Sequence, residues 1–400
     1  MPAAVPARRR LVCETTGPVG SDHGETSGAS HLDTAGPASR LAGMGDIENA
    51  ADGWLWGGPE PLADSYDLAL LDLDGVVYLV GEPIEGAPAA IAELRRRGGA
   101  VVFVTNNASR SPAEVAELLT DRGVTAAPRE VLTSSRTAAS LLRDRLPADS
   151  TVMVVGAAAL AAEVSEVGLR PVWPAESTAV SAVVQGFGPA VGWEQLAEAA
   201  IAVREGAWWV ATNPDRTMPS PRGELPGNGS LLRVVATAAG REPDVVAGKP
   251  GPAMFRQAAE AHPGASPIVV GDRWDTDIAG GRAADLPGLL VLSGSTSPAQ
   301  VLRIPPEGRP RYLAWTVAGL LDAHPEVTRS GDEVHCGAWR VRVDGADTWL
   351  AGSGEPLDAL RAMAEAAWSW LDTHPGEDFA MPKADGTSAA QALDVLRTSG

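Results

Sequence analysis

Leu68-Ala69-Leu70-Leu71-Asp72-Leu73-Asp74-Gly75-Val76 is an apolar run that ends in two aspartates one residue apart and then a glycine. The run reads as a short buried strand. Side chains alternate along a strand, so both carboxylates reach one site only if the chain unwinds just after Asp72. Crowded there, repulsion and desolvation raise at least one pKa unless a cation sits between the acids. The arrangement points to a metal ion, a nucleophile and a proton donor in one place. A solvated acidic turn would look the same in isolation, so the decision falls to segments further along.

Three of them follow in order. Val101-Val102-Phe103-Val104-Thr105-Asn106-Asn107 is a second β-branched run, ending in a hydroxyl and two amides that suit phosphate oxygens. Val245-Val246-Ala247-Gly248-Lys249-Pro250 carries one of only two lysines in the chain, the other being Lys383. A chain that otherwise takes its cations from arginine places a compact ammonium here, a point charge without a planar fork. Ile268-Val269-Val270-Gly271-Asp272-Arg273-Trp274-Asp275-Thr276-Asp277 is again a strand that releases acids at its end. One of those acids completes a metal shell and another orients it.

These residues together resemble the haloacid dehalogenase superfamily, whose four motifs are matched in order by Asp72 and Asp74, Thr105, Lys249, and Asp272 with Asp277. The resemblance implies that Asp72 takes the phosphoryl group as an aspartyl phosphate, while Asp74 protonates the leaving alkoxide and then deprotonates water. It implies phosphoryl binding by Thr105, Asn106, Asn107 and Lys249. Mg²⁺ is implied on Asp72, Asp272 and the main-chain carbonyl of Asp74, with Asp277 outside the coordination shell. Asp74 itself argues for hydrolysis of a phosphate ester, because related ATPases carry threonine there and related dehalogenases carry no acid. The physical logic agrees: a phosphate dianion cannot approach an ionised aspartate until a divalent cation and a lysine offset the repulsion.

The implied fold class is α/β, a Rossmann-like core with a parallel sheet. Strand and helix alternate from Tyr66, the helix Ala87 to Arg97 is closed by Gly98-Gly99, and ligands of such sheets bind beyond the strand C-termini. Between Thr105 and Lys249 lie roughly 140 residues, too many for a connection within one sheet. They are expected to form an inserted α/β cap domain over 111–245, with strands at Val152 to Val155, Ala179 to Gln185 and Trp208 to Ala211. The expected core spans 65–110 and 246–322. The position of the insert, Asn106-Asn107-Ala108-Ser109-Arg110-Ser111, Ala211-Thr212-Asn213-Pro214-Asp215 and Pro226-Gly227-Asn228-Gly229-Ser230 resemble the class IIA branch of the superfamily. On that resemblance Asn213, Asp215, Arg216 and Asn228 are candidates for leaving-group recognition.

Residues 1–64, rich in Gly, Ala, Pro, Ser and Thr, are expected to be mostly disordered, with Trp54-Leu55-Trp56 packing onto a domain. Met44 offers an alternative start. Residues 325–400 read as a small α+β appendage: a strand Val334 to Val343, a turn at Gly345, a return over Thr348 to Ala351, and helices at Pro356 to Leu371 and Ser388 to Leu396. Cys336 and Trp339 read as core. The appendage is expected to regulate, to dimerise the chain or to cover a surface, and a homodimer is compatible with it.

A formal charge of -19 argues against nucleic acid or an anionic membrane as partner, while a small phosphate ester needs only a local cationic site. Two cysteines make no disulfide framework and six histidines make no metal-ligand spacing. No run is long enough to span a bilayer, and a cytoplasmic location is expected. The reading is therefore a Mg²⁺-dependent phosphomonoesterase. Glycerol 3-phosphate is favoured because actinobacterial-type glycerol phosphate phosphatases of class IIA also carry an extra C-terminal region. The alternatives are 2-phosphoglycolate, pyridoxal 5'-phosphate or nucleoside monophosphates, a phosphotransferase, and a catalytically silent phosphometabolite sensor.

Overall fold

The computed structural model describes residues 53–176, 179–218, 220, 222–344 and 347–398. The expected disorder and second start within 1–52 lie outside these residues. Four buried runs and two shorter ones form a six-stranded sheet in the order 312–314, 288–291, 267–271, 68–71, 100–105, 131–133, all parallel. Leu68–Leu71 is buried at every position, as a central strand covered on both faces must be. Its direct neighbours are the strands that end at Thr105 and Gly271, so three of the four motifs emerge side by side from one edge. Lys249 joins them from the connection that leads into the helix Ala253–Glu260.

A second parallel sheet has the order 245–246, 208–211, 182–185, 151–155, 170–172. The expected boundary at residue 110 falls too early. Val131–Thr133 pairs with the strand at 100–105, and Val115, Ala116 and Leu119 of the helix Pro112–Asp121 pack into the first sheet's core. The chain leaves that sheet only after Thr133, because a capping box at Ser111 starts a crossover helix that returns to the same sheet.

The tail also differs from expectation. Val334 to Val343 is not one strand but a hairpin of Glu333–Cys336 and Trp339–Asp344, because Gly337, at φ +56°, opens a two-residue turn. Asp347–Gly352 pairs next, while Gly345 lies outside the described residues. Val327–Ser330 and Lys383–Asp385 complete a five-stranded sheet. Its helix Pro356–Thr373 buries Leu357, Leu360, Met363, Ala364 and Ala367 at helical spacing, and Cys336 and Trp339 are core.

That core is shared with the catalytic sheet. Ile278, Leu290, Leu292 and Leu313 pack in one cluster with Met363, Trp368 and Leu396. Arg309, 1 % exposed, pairs bidentately with Asp372 at 2.7 and 2.8 Å, and Trp368 Nε1 donates to the Val301 carbonyl. Residues 53–65 close the same seam: Trp54 to Trp56 pack onto it as expected, whereas 57–64, expected to be disordered, are ordered as well. Leu55 is buried there, Trp54 and Trp56 stack under Arg309 and Arg311 at 4.4 Å each, and Glu365 accepts the Trp54 and Leu55 amides. Gly58–Pro61 then pairs antiparallel with Ala323–His324.

His324 sits at this joint, donating from Nε2 to the Gly319 carbonyl and accepting on Nδ1 from Arg361, the tautomer those two partners require. Burial holds its pKa below the ordinary value, the Gly319 carbonyl pulls it up, and Arg361 pushes it down again. The unfolded imidazole therefore takes a proton first as pH falls, so this group's stability is present above about pH 6.5 and lost below it. His324→Gln should flatten the fall in urea midpoint between about pH 7.5 and 5.5. Parallel pH dependences in variant and wild type would contradict the assignment.

Candidate active site

The backbone sets the site before any side chain does. Asp72 N still donates to the Val270 carbonyl, and then the chain turns back, Gly75 N donating to the Tyr78 carbonyl at 2.7 Å. Gly75 holds φ +82°, and a Cβ there would lie 2.4 Å from Asp272 Oδ2, so only glycine lets the first motif press against the fourth.

Lys249 is 3 % exposed, and its Nζ lies 2.5 Å from Asp72 Oδ1 and 2.7 Å from Asp277 Oδ1 while donating to the Val104 carbonyl at 3.2 Å. Both carboxylates raise its pKa against the opposing effect of burial, so the ammonium stays charged. Asp272, 1 % exposed, accepts the Ser295 amide on Oδ2, and its carbonyl accepts from Thr296. Its Oδ1 is buried without any hydrogen-bond partner. Burial raises the Asp72 carboxyl well above the ordinary range; Lys249 counters this, and Asp277 and Asp272 add to it. Burial, and then Asp277, push the Asp272 carboxyl up to about 6.

Asp72, Asp272 and Asp277 each bring an oxygen within 4.8 Å of the others. With all three acids ionised, three carboxylates against one ammonium would leave two negative charges in a buried cluster, and burial together with that repulsion is why the pKa of Asp72 and Asp272 is raised. The orphaned Asp272 oxygen and that charge fit a hard divalent cation with oxygen ligands. Asp72, which meets Lys249 through Oδ1, keeps Oδ2 for it and Asp272 keeps Oδ1, whereas both oxygens of Asp277 are engaged, Oδ1 by Lys249 and Oδ2 by the Arg273 amide.

Asp74 faces the opening, yet protein packed around its carboxyl raises the pKa, with Lys249 and a hydrogen bond from Tyr78 opposing. Thr105 Oγ1 accepts the Asn107 amide at 3.1 Å, which leaves the hydroxyl proton for another acceptor. The amide of Asn107 itself turns away, its Oδ1 taking both N and Oγ of Ser109. Asn213 and Asn228, expected at a pocket wall, are 5 % and 1 % exposed and serve main chain instead: Asn213 donates to the Asn106 carbonyl, and Asn228 to that of Asn213. Asp215 and Arg216 do line a cleft of about 300 Å³, with Arg273, Pro250 and Thr276 opposite.

The sequence reading missed Ser293, Ser295 and Thr296. Ser293 Oγ donates to the Gly75 carbonyl at 2.6 Å, so this loop ties the first motif to the fourth. Its signal is a Ser-Gly-Ser-Thr stretch one residue past the strand Gly288–Val291.

Residues 69–170 match the haloacid dehalogenase-like hydrolase family, residues 246–320 an HAD-like hydrolase region, and residues 336–398 a GCN5-related N-acetyltransferase-like domain. D-glycerol 3-phosphate phosphatase of Mycobacterium tuberculosis is 42 % identical over 316 residues, 77 % of this chain and 87 % of the relative. The crystal structure of the M. tuberculosis glycerol phosphate phosphatase in complex with magnesium superposes with a TM-score of 0.76 at 38 % identity, covering 84 % of this chain and 99 % of that one. The p-nitrophenyl phosphatase from Archaeoglobus fulgidus gives 0.59 at 29 % identity, over 64 % and 98 %.

Mg²⁺ should raise the melting temperature of the wild type and leave Asp272→Asn unmoved, the shift at a hundredfold excess over Kd corresponding to about 2.7 kcal/mol. The wild-type shift should fade below about pH 6, where protons compete for Asp272. An equal shift in both proteins would remove Asp272 from the metal site.

Proposed function

The chain belongs to the haloacid dehalogenase-like hydrolases and is a Mg²⁺-dependent phosphatase, and we propose that it hydrolyses glycerol 3-phosphate through an aspartyl-phosphate on Asp72. The observation that carries the chemistry is the Lys249 ammonium against Asp72 Oδ1 at the end of the central strand. It holds the nucleophile in place and works against the burial that raises the Asp72 pKa, and its charge offsets that of an approaching phosphoryl group.

Asp72 attacks phosphorus, the ester P–O bond breaks, and Asp74 gives its proton to the departing alkoxide. The same carboxylate then takes a proton from water as the water oxygen attacks phosphorus, the P–O bond to Asp72 breaks, and inorganic phosphate leaves with the Asp72 carboxylate regenerated. A raised pKa suits Asp74 to the acid step, since a fully acidic carboxyl would hold no proton near neutrality. Thr105 Oγ and the main chain after it donate to the phosphoryl oxygens. Asp72, Asp272 and the Asp74 carbonyl would hold the ion, which would supply charge neutralisation to the phosphoryl group. The second sheet acts as the cap that excludes water and selects the alcohol.

The substrate rests on the extent of the likeness. Phosphatases without the third region match about two thirds of the chain, whereas the M. tuberculosis glycerol phosphate phosphatase matches 84 % of it. Other small phosphate esters form the comparison panel.

Phosphate release from such a panel should be greatest for glycerol 3-phosphate and should stop with chelator. Release concentrated on pyridoxal 5'-phosphate or 2-phosphoglycolate would reassign the substrate and keep the class. Asp72→Asn should lose about 10⁴-fold in kcat with the fold intact. In the first turnover, Asp74→Asn should slow glycerol 3-phosphate cleavage by about 10²-fold or more and p-nitrophenyl phosphate far less, because p-nitrophenolate leaves without a proton. Equal losses would refute the acid role.

A further inference from the structure

Asn106 directly follows the phosphate-binding Thr105, and its side chain is fully engaged. Nδ2 donates to Asp215 Oδ2 at 3.0 Å and to the Lys249 carbonyl at 3.0 Å, while Oδ1 accepts the Lys249 amide at 2.8 Å. Both amide protons are used, so this side chain clamps the Lys249 peptide and has no donor left for phosphate. The contact is close enough that a Cβ at Gly248 would lie 2.4 Å from Asn106 Oδ1.

Asp215 comes from the other sheet, on the loop after Trp208–Ala211. Its own position is fixed from three directions: its amide donates to Asn213 Oδ1, its carbonyl accepts the Gly229 amide, and Oδ1 lies 3.6 Å from Arg273 Nη1. A carboxylate accepting from Asn106 also polarises the amide that holds Lys249.

We propose that Asp215 is a positioning residue for Lys249, acting through Asn106, and that it contacts neither the phosphoryl group nor the alcohol. The inserted sheet thereby contributes to the chemical step itself, and Arg273, next to the metal-binding Asp272, anchors the contact from the core side. This rests on the phosphatase reading of the site. It differs from a role in leaving-group recognition, for which the place of Asp215 in the 300 Å³ cleft is the competing argument.

The two roles separate by leaving group. Asp215→Ala should lower kcat by about 10- to 100-fold, the usual cost of losing a partner that orients a catalytic group, with KM changed less than about twofold. The factor should be the same for p-nitrophenyl phosphate and glycerol 3-phosphate, since Lys249 serves the phosphoryl group common to both. Asp215→Asn keeps an oxygen for Asn106 and should recover most of the loss. A rise in KM for glycerol 3-phosphate with p-nitrophenyl phosphate turnover intact would overturn the proposal in favour of substrate contact, as would wild-type kinetics in Asp215→Ala. An Asn variant as poor as the Ala variant would also overturn it. Wild type that releases no phosphate from any ester would defeat the phosphatase reading instead. Positioning is then read from Mg²⁺-dependent inorganic phosphate binding by calorimetry, weakened by Asp215→Ala and retained by Asp215→Asn if the proposal holds. If Asp215→Ala does not fold, Asp215→Ser takes its place in both assays.

Discussion

One buried ammonium organises this protein. Lys249 lies between Asp72 and Asp277 with almost no solvent, and without it three carboxylates would face one another in the interior. Such a cluster is tolerable only if each charge has a counter-charge or a hydrogen-bond partner, and one Asp272 oxygen has neither. The same deficit suits the cluster to a divalent ion. The geometry and the tension in the site are therefore one property: Asp72 is held by a lysine that is itself held by Asp277.

Most of the architecture can be read as support for that contact. Adjacent parallel strands deliver Asp72, Thr105 and Asp272 to one edge, and the loop at Ser293–Thr296 straps the first motif to the fourth. Support extends outward from there. Ile278 directly follows Asp277 and shares a hydrophobic cluster with the helix Pro356–Thr373, so the appendage is continuous with the core under the catalytic loop. The Trp54–Trp56 segment and the Arg309–Asp372 pair seal the same seam.

What was legible in the sequence was what short-range pattern encodes. Asp72, Asp74, Thr105, Lys249 and Asp272 could be picked out because strand ends carry chemistry in parallel sheets and because lysine is so rare in this chain. The helix Pro356–Thr373 could be read from its apolar spacing. The hairpin at Gly337 was missed because apolar residues alternate on both sides of it, although the phase shifts between Cys336 and Trp339 and a glycine marks the turn. Val131–Thr133 fell inside the expected cap range 111–245 without being read as a strand, since three residues carry no signal about which partner they pair with. Asn213 and Asn228 have residue types suited to recognition, but their hydrogen bonds run to main chain, which depends on long-range packing that no local motif reports. Residues 53–65 have a loop-like composition, and their order comes from Arg309, Arg311 and Glu365, hundreds of positions away.

The most direct measurement is a rapid acid quench during the first turnover of a phosphorus-labelled ester, followed by peptide mapping. An acid-stable, base-labile phosphoryl group confined to the peptide containing Asp72, appearing before free phosphate, is the result this account predicts. Label on another residue, or free phosphate formed as fast as ester is lost with no covalent intermediate, would contradict the assignment of Asp72 as the nucleophile that Lys249 holds.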